Sequence, residues 1–149
     1  MTPRQAEPAE IDALAKLHAA AFDPSWSAED IRQMLSARGT FALAVDAAPG
    51  SLAGFILCRV IAGEAEVLTL AVRPEHRRRG VGGALLAAAE AIASKTATAM
   101  FLEVAADNIG AIALYERAGY AAVGRRAGYY ARRAGAGADA VVMRRALNS

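Results

Sequence analysis

Two stretches of this chain carry side chains able to do chemistry. The first, VRPEHRRRGVGG (residues 72–83), sets Arg77, Arg78 and Arg79 against Gly80, Val81, Gly82 and Gly83. The second, FLEVAADNIGAIALYERAGY (residues 101–120), breaks an apolar run with Glu103 and then carries Asn108 and Tyr115. Cations and glycines ahead of an alanine-rich helix suit an anion, a diphosphate above all. The first amides of a helix lack intrahelical partners, the helix dipole favours negative charge, and glycine leaves no Cβ in the way. A carboxylate beside a cleft can accept a proton, and a tyrosine hydroxyl can give one. Each feature also has a plainer reading. A basic run is commonly a solvated face, Glu103 can sit in a salt bridge to a neighbouring arginine or on an outward strand face, and a helical tyrosine is commonly core with its hydroxyl satisfied.

Two nucleotide motifs are excluded by the residues themselves. A P-loop needs Lys and then Ser or Thr after its last glycine, whereas Gly83 is followed by Ala84 and Leu85. A dinucleotide fingerprint starting at Gly80 needs Gly or Ala where Leu85 stands. Cys58 is the only cysteine, so no intramolecular disulfide and no Cys-rich zinc cluster can form, and no metal is expected. Cys58 itself lies mid-strand in FILCRV and reads as core. His76 reads as an exposed loop residue beside the basic turn, and His18 as a helix-surface or internally satisfied one. A net charge of +2 makes the molecule only mildly basic. Arg125, Arg126, Arg132, Arg133, Arg144 and Arg145 could face a polyanion, but no aromatic stacking platform accompanies them and direct nucleic-acid binding is not expected.

The elements that must position these groups follow from periodicity. A chain of 149 residues with 55% hydrophobic content suits one domain, residues 1–149, with a sizeable core. Thr2 to Glu7 reads as a short edge strand. Ile11, Leu14, Leu17 and Ala21 then recur at helical spacing, and Ser27 with Asp30 resembles a capping box opening a second helix. TFALAVD, LAGFILCRVI and EAEVLTLAV form an antiparallel meander. A helix from Val81 to Ser94, the strand AMFLEVAA, and a helix introduced by Asn108 and stopped at Gly119 come next, followed by two strands flanking ARRAGAGA. Strand, helix, strand implies a right-handed crossover to a parallel neighbour, so a mixed α/β sheet covered by helices is expected. The N-terminus lacks the cationic start and unbroken apolar core of a signal peptide, and no apolar run is long enough to span a bilayer, so a cytoplasmic location is expected.

Arg77, Gly80 and Gly82, as R-x-x-G-x-G between a strand and a long helix, resemble the acyl-CoA pyrophosphate turn of the GNAT N-acetyltransferases. DNIGAIALYERAGY resembles that family's N-x-x-A-x-x-L-Y-x-x-x-G-F/Y. The resemblance implies the GNAT fold: a mixed, mostly antiparallel sheet of about seven strands, about four flanking helices, and a splayed parallel strand pair that binds acetyl-CoA. It implies that the amides from Arg77 to Gly83 cradle the pyrophosphate, that backbone groups of Leu70, Ala71 and Val72 hold the pantetheine, and that Asn108 and Tyr115 also touch the cofactor. Tyr115 would protonate the leaving thiolate, and Glu103 would serve as general base through water. SWSAED, FLEVAADN and GYY with DAVVM further resemble the RimI-type branch, which acetylates the N-terminal alanine of a small-subunit ribosomal protein. Departures from that branch are Ser25, Ala105 and the arginine-bearing loop. The branch implies acceptor contacts at Trp26, Glu103, Tyr129 and Tyr130, a ribosomal protein N-terminus as partner, and a monomer or weak dimer. The alternatives are a lysine or small-molecule amine as acceptor, or a CoA-binding regulator without turnover.

Overall fold

The structure, a computed structural model, describes residues 2–130 and 138–147. The side chains of Tyr129 and Tyr130 lie outside the described set, as does the loop of residues 131–137. Strands β1 (Arg4–Gln5), β2 (Thr40–Ala48), β3 (Ser51–Ile61), β4 (Glu64–Val72), β5 (Ala99–Ala105), β6 (Ala121–Tyr130) and β7 (Ala138–Ala146) form one sheet in the order β1-β2-β3-β4-β5-β7-β6. The helices are α1 (Ile11–Ala21), α2 (Ala28–Ser36), α3 (Val81–Ala93) and α4 (Ile109–Arg117). The expected seven strands and four helices are all present. Pro8–Glu10 forms a 3₁₀ turn ahead of α1, where the Glu7 amide donates to the Glu10 carboxylate at 2.8 Å.

Local signals account for the boundaries. The Ser27 hydroxyl accepts the Asp30 amide at 3.1 Å while the Ser27 amide donates to the Asp30 carboxylate at 3.0 Å, so the capping box starts α2. Gly119 stops α4 at φ +98°, a conformation with a steric penalty for any residue bearing a Cβ.

The sheet separates two cores. Leu85, Leu86, Ala89 and Ala93 of α3 and Tyr115 of α4 pack on one face with Ile56, Val67, Met100, Leu102 and Val104. Ile11, Leu14 and Leu17 of α1 and Ile31 of α2 pack on the other with Phe55, Leu57 and Ala71. Alanines at 89 and 93 let α3 lie close on the strands, and truncating the fully buried Leu85 to Ala would cost about 2–5 kcal/mol.

One parallel pair, β4 with β5, interrupts an otherwise antiparallel sheet, and it is paired only from Glu64↔Ala99 to Val67↔Leu102. Beyond that point β4 stays with β3 as far as Gly54↔Val72, while β5 stays with β7 as far as Ala105↔Ala140. The two strands therefore splay at Val67. A bulge coincides with the splay: Cys58 faces Val67 and Leu57 faces Thr69, leaving Leu68 as the extra residue. The extra residue shifts the alternation, so Leu70 and Val72 lie on the same face as Val67 while Leu68 and Ala71 lie on the opposite one. Among the described residues no helix is long and apolar enough to cross a membrane.

Candidate active site

The splay opens a cleft of about 1000 Å³ that is lined from both sides of the sheet. Leu68 and Leu70 of β4 and Glu103 and Ala105 of β5 form its walls, Tyr115 of α4 lines it on one face, and Trp26 from the α1–α2 segment lines it on the other. Residues of both faces of the sheet thus border one cavity.

On the α3–α4 face the outstanding feature is the start of α3. The first intrahelical bond runs from the Ala84 amide to the Gly80 carbonyl at 3.0 Å, so the amides of Val81, Gly82 and Gly83 have no intrahelical acceptor. Gly80 at the cap position stands at φ +79° and brings no capping side chain, and the first turn holds no acidic residue. Arg77, Arg78 and Arg79 are all exposed beside it. Open amides, the positive end of the helix dipole and three cations fit a diphosphate such as that of acetyl-CoA.

Three details depart from the sequence expectation. The Arg77 amide donates to the Pro74 carbonyl at 3.3 Å and is engaged in a 3₁₀ turn, so the open amides begin after it. Gly82 is held by packing: a Cβ there would stand 3.1 Å from Leu114 Cδ2, so the glycine lets α3 approach α4 as well as keeping the backbone open. Ala71 does not present its backbone to the cleft. The Arg73 amide bonds the Ala53 carbonyl at 2.9 Å, and hydrogen-bonded pairs alternate along an antiparallel ladder. Ala71 opposite Phe55 is thus turned to β3, while Leu70 and Val72, opposite Ile56 and Gly54, turn their N–H and C=O groups to the gap left by β5.

Tyr115 is 7% exposed, packs its ring edge-on against Tyr120 at 6.1 Å and borders the cleft. Asn108 caps α4, its side-chain oxygen accepting the Ala111 amide at 3.2 Å, and also borders the cleft. That oxygen is therefore committed to the helix. In the turn before α3, His76 is half-buried where the sequence suggested an exposed loop residue, and its buried Nδ1 lacks a partner among the described residues.

On the α1–α2 face lies Glu103. Its neighbours Leu102 and Val104 belong to the α3–α4 core, so strand alternation directs the carboxylate to the opposite side. There it accepts a hydrogen bond from Arg126 of β6 at 2.7 Å, with the glutamate side chain 25% exposed. The plainer sequence reading, a salt bridge, is present, and the same carboxylate also borders the cleft. Trp26 is half-buried and stacks on His18 with ring centroids 4.8 Å apart. Tyr129 and Tyr130 belong to β6 by backbone, and their expected acceptor contacts lie outside the described residues.

The sequence reading missed His18 and Thr69 as parts of the site. His18 is 3% exposed and Thr69 8%, and both line the cleft. A histidine one residue after Leu17 and four after Leu14 shares the buried stripe of α1, which was the available signal. Burial pulls the imidazole down to about 4. Cys58 is buried and its thiol is pushed well up, as expected of core. Among the described residues no group of three or more metal-ligating side chains comes together. Of the arginines from 125 onward, Arg125 pairs with Asp139, Arg126 with Glu103 and Arg145 with Glu90, while Arg144 lies over the Phe101 ring. Arg132 and Arg133 lie outside the described residues.

Residues 11–120 match the acetyltransferase (GNAT) family. The chain is 36% identical over 95 residues to the ribosomal protein bS18-alanine N-acetyltransferase of Escherichia coli, covering 63% of this chain and 64% of that protein. It is 46% identical over 74 residues to the mycothiol acetyltransferase of Clavibacter michiganensis, covering 49% of this chain and 24% of that protein. The chain thus spans less than two thirds of the length of either relative. Among solved structures, the ribosomal-protein-S18-alanine N-acetyltransferase of Escherichia coli superposes with a TM-score of 0.90 at 27% identity, covering 99% of this chain and 94% of that one. Arabidopsis thaliana NAA60 in complex with acetyl-CoA shares the fold, with a TM-score of 0.87 at 22% identity over 99% of this chain and 98% of that one. A sheet that opens at its one parallel pair beside an uncapped helix is thus the GNAT fold, and the chain belongs to the GNAT family of acetyltransferases.

Proposed function

We propose that this protein transfers the acetyl group of acetyl-CoA to a protein N-terminal α-amine, the N-terminal alanine of a small-subunit ribosomal protein, by direct attack in a ternary complex. The observation that carries the reading is the single cleft at the splayed strands, bordered by Glu103 on one face of the sheet and Tyr115 on the other. Acetyl-CoA would bring the acetyl thioester. The amides of Val81 to Gly83 and the flanking arginines would hold its diphosphate, and the open backbone groups of Leu70 and Val72 would hold the pantetheine arm. On the other face, Glu103 accepts the amine proton through water, with Arg126 fixing the carboxylate. Tyr115 supplies a proton to the departing sulfur from the opposite side. A backbone N–H aimed into the gap at Leu70 or Val72 suits the developing oxyanion.

The acceptor class rests on likeness to the alanine N-acetyltransferases and on amine chemistry. An α-amine with a pKa of about 8 is roughly a quarter unprotonated at pH 7.5, while a lysine near 10.4 is free about once in a thousand. That difference, about 3 kcal/mol, favours N-termini where the base is a single water-linked carboxylate. A small-molecule amine is the second reading, favoured by the segment shared with the mycothiol acetyltransferase.

Mass spectrometry of an acetyl-CoA reaction against peptides with free N-termini, blocked N-termini and internal lysines tests the acceptor. Product should form on Ala-initiated peptides and vanish when the α-amine is blocked. Acetylation that survives blocking overturns the α-amine assignment, and no transfer to any amine would leave a CoA-binding regulator.

A further inference from the structure

His18 and Thr69 are the two buried polar residues among those described, and each is the other's partner: His18 Nε2 lies 3.1 Å from Thr69 Oγ1. The other ring nitrogen, Nδ1, accepts the backbone N–H of Trp26 at 3.0 Å. A nitrogen that accepts carries no proton, so the imidazole is the neutral Nε2–H tautomer and donates to the threonine hydroxyl. The ring also lies stacked between two aromatic side chains, Phe22 with centroids 4.5 Å away and Trp26 at 4.8 Å. The Phe55 ring stands tilted 6.3 Å from it, and Leu14 and Leu17 of the same helix are buried in the adjoining apolar core.

An imidazole buried in such a core is costly unless both nitrogens are satisfied, and a leucine or phenylalanine would fill the space without that demand. What the histidine adds is a connection. Thr69 follows the bulge residue Leu68, where β4 parts from β5. Trp26 precedes the Ser27 cap of α2, in a segment with no helix or strand of its own between Phe22 and Ser27. Phe22, Trp26, Leu68 and Thr69 all line the cleft. One side chain thus joins the irregular segment to the edge of the opening through two hydrogen bonds and two ring stacks.

We propose that His18 is a positioning residue for acceptor recognition: with Thr69 it clamps the 22–26 segment onto β4 and sets Trp26 as the wall against which the acceptor's first residues lie. The role rests on the reading that the acceptor enters from the α1–α2 face. His18 does not touch the reacting atoms, and the start of α3 lies on the other face of the sheet, so the clamp governs acceptor affinity and leaves acetyl-CoA affinity alone.

The chain has a single tryptophan, Trp26, so its fluorescence reports the clamp without reference to activity. His18→Phe keeps an aromatic ring between Phe22 and Trp26 and deletes both hydrogen bonds. Thr69→Val keeps the shape of the strand residue and deletes one, and Thr69→Ser keeps the hydroxyl. With folding checked by circular dichroism, His18→Phe and Thr69→Val should increase acrylamide quenching of Trp26, while Thr69→Ser retains wild-type quenching. With a peptide bearing a free N-terminal alanine, the first two variants should raise the peptide KM about tenfold and leave the acetyl-CoA KM within about twofold. Unchanged quenching in folded His18→Phe and Thr69→Val, or peptide and acetyl-CoA KM values that rise together, would overturn the proposal. If wild type acetylates no peptide, the functional reading fails, and the quenching series alone decides whether the clamp exists.

Discussion

The two faces of the sheet meet the cleft in opposite ways. On the α3–α4 face the groups suited to a long cofactor are mostly backbone, the uncapped amides of α3 and the unpaired edge of β4 at Leu70 and Val72, with Tyr115 as a titratable side chain of that face that lines the cleft. On the α1–α2 face the groups at the cleft are side chains: Glu103 held by Arg126, and Trp26 held by His18. Backbone donors cannot rotate away and carry no side-chain identity, which suits a ligand that is always the same. Side chains held by other side chains can be exchanged by mutation, which suits an acceptor that differs among relatives sharing the fold. The helix starts show the same contrast. On the α1–α2 face α2 carries a Ser27 and Asp30 capping box, whereas α3 carries none.

Substitutions should therefore separate by face. The largest effect is expected at Tyr115→Phe, which should lower kcat about 10²–10³-fold while the acetyl-CoA KM and the peptide KM stay near wild type. A rate within a few-fold of wild type would remove the tyrosine from proton transfer. Glu103→Gln should lower turnover by about 10–100-fold, most deeply at low pH where the acceptor amine is most protonated, with acetyl-CoA binding unaffected. A loss that is uniform with pH would assign the glutamate to orientation alone.

Gly80→Asp strains a left-handed position and puts an anion at the start of α3. Calorimetric titration should show acetyl-CoA affinity about tenfold weaker or worse, with the peptide KM unchanged. Equal losses for donor and acceptor would erase the division between the faces.

The remaining effect concerns stability and leaves the comparison of donor and acceptor binding aside. The His18 imidazole titrates at about 4 in the folded chain against an ordinary 6.5, so between these values the unfolded chain binds more protons. Its contribution is complete above about pH 6.5 and is lost as pH falls toward 4, at up to about 1.4 kcal/mol per pH unit. Denaturant melts across that window should show a shallower acid slope for His18→Gln than for wild type, and parallel slopes would place the acid sensitivity elsewhere.

What was legible in the sequence is what local physics decides. Ser27, Asn108 and Gly119 mark helix ends because capping and left-handed turns involve residues within four positions of each other. Apolar runs bounded by turn residues and helical spacing placed the seven strands and four helices, and the glycines after Arg79 marked a helix start open to a ligand. The family resemblance added the splayed pair, which no local pattern announces.

Tertiary structure alone decided which groups face the cleft. One extra residue at Leu68 shifts the alternation of β4, so Thr69 leaves the face of Val67 and meets His18 from a helix 51 residues earlier. The same ladder turns Ala71 to β3 and leaves Leu70 and Val72 open, and a strand 23 residues away brings Arg126 to Glu103. Periodicity states which residues share an element's face. It carries no record of where a ladder slips by one or which distant strand closes on a carboxylate, because those depend on register between segments that meet only in the folded chain.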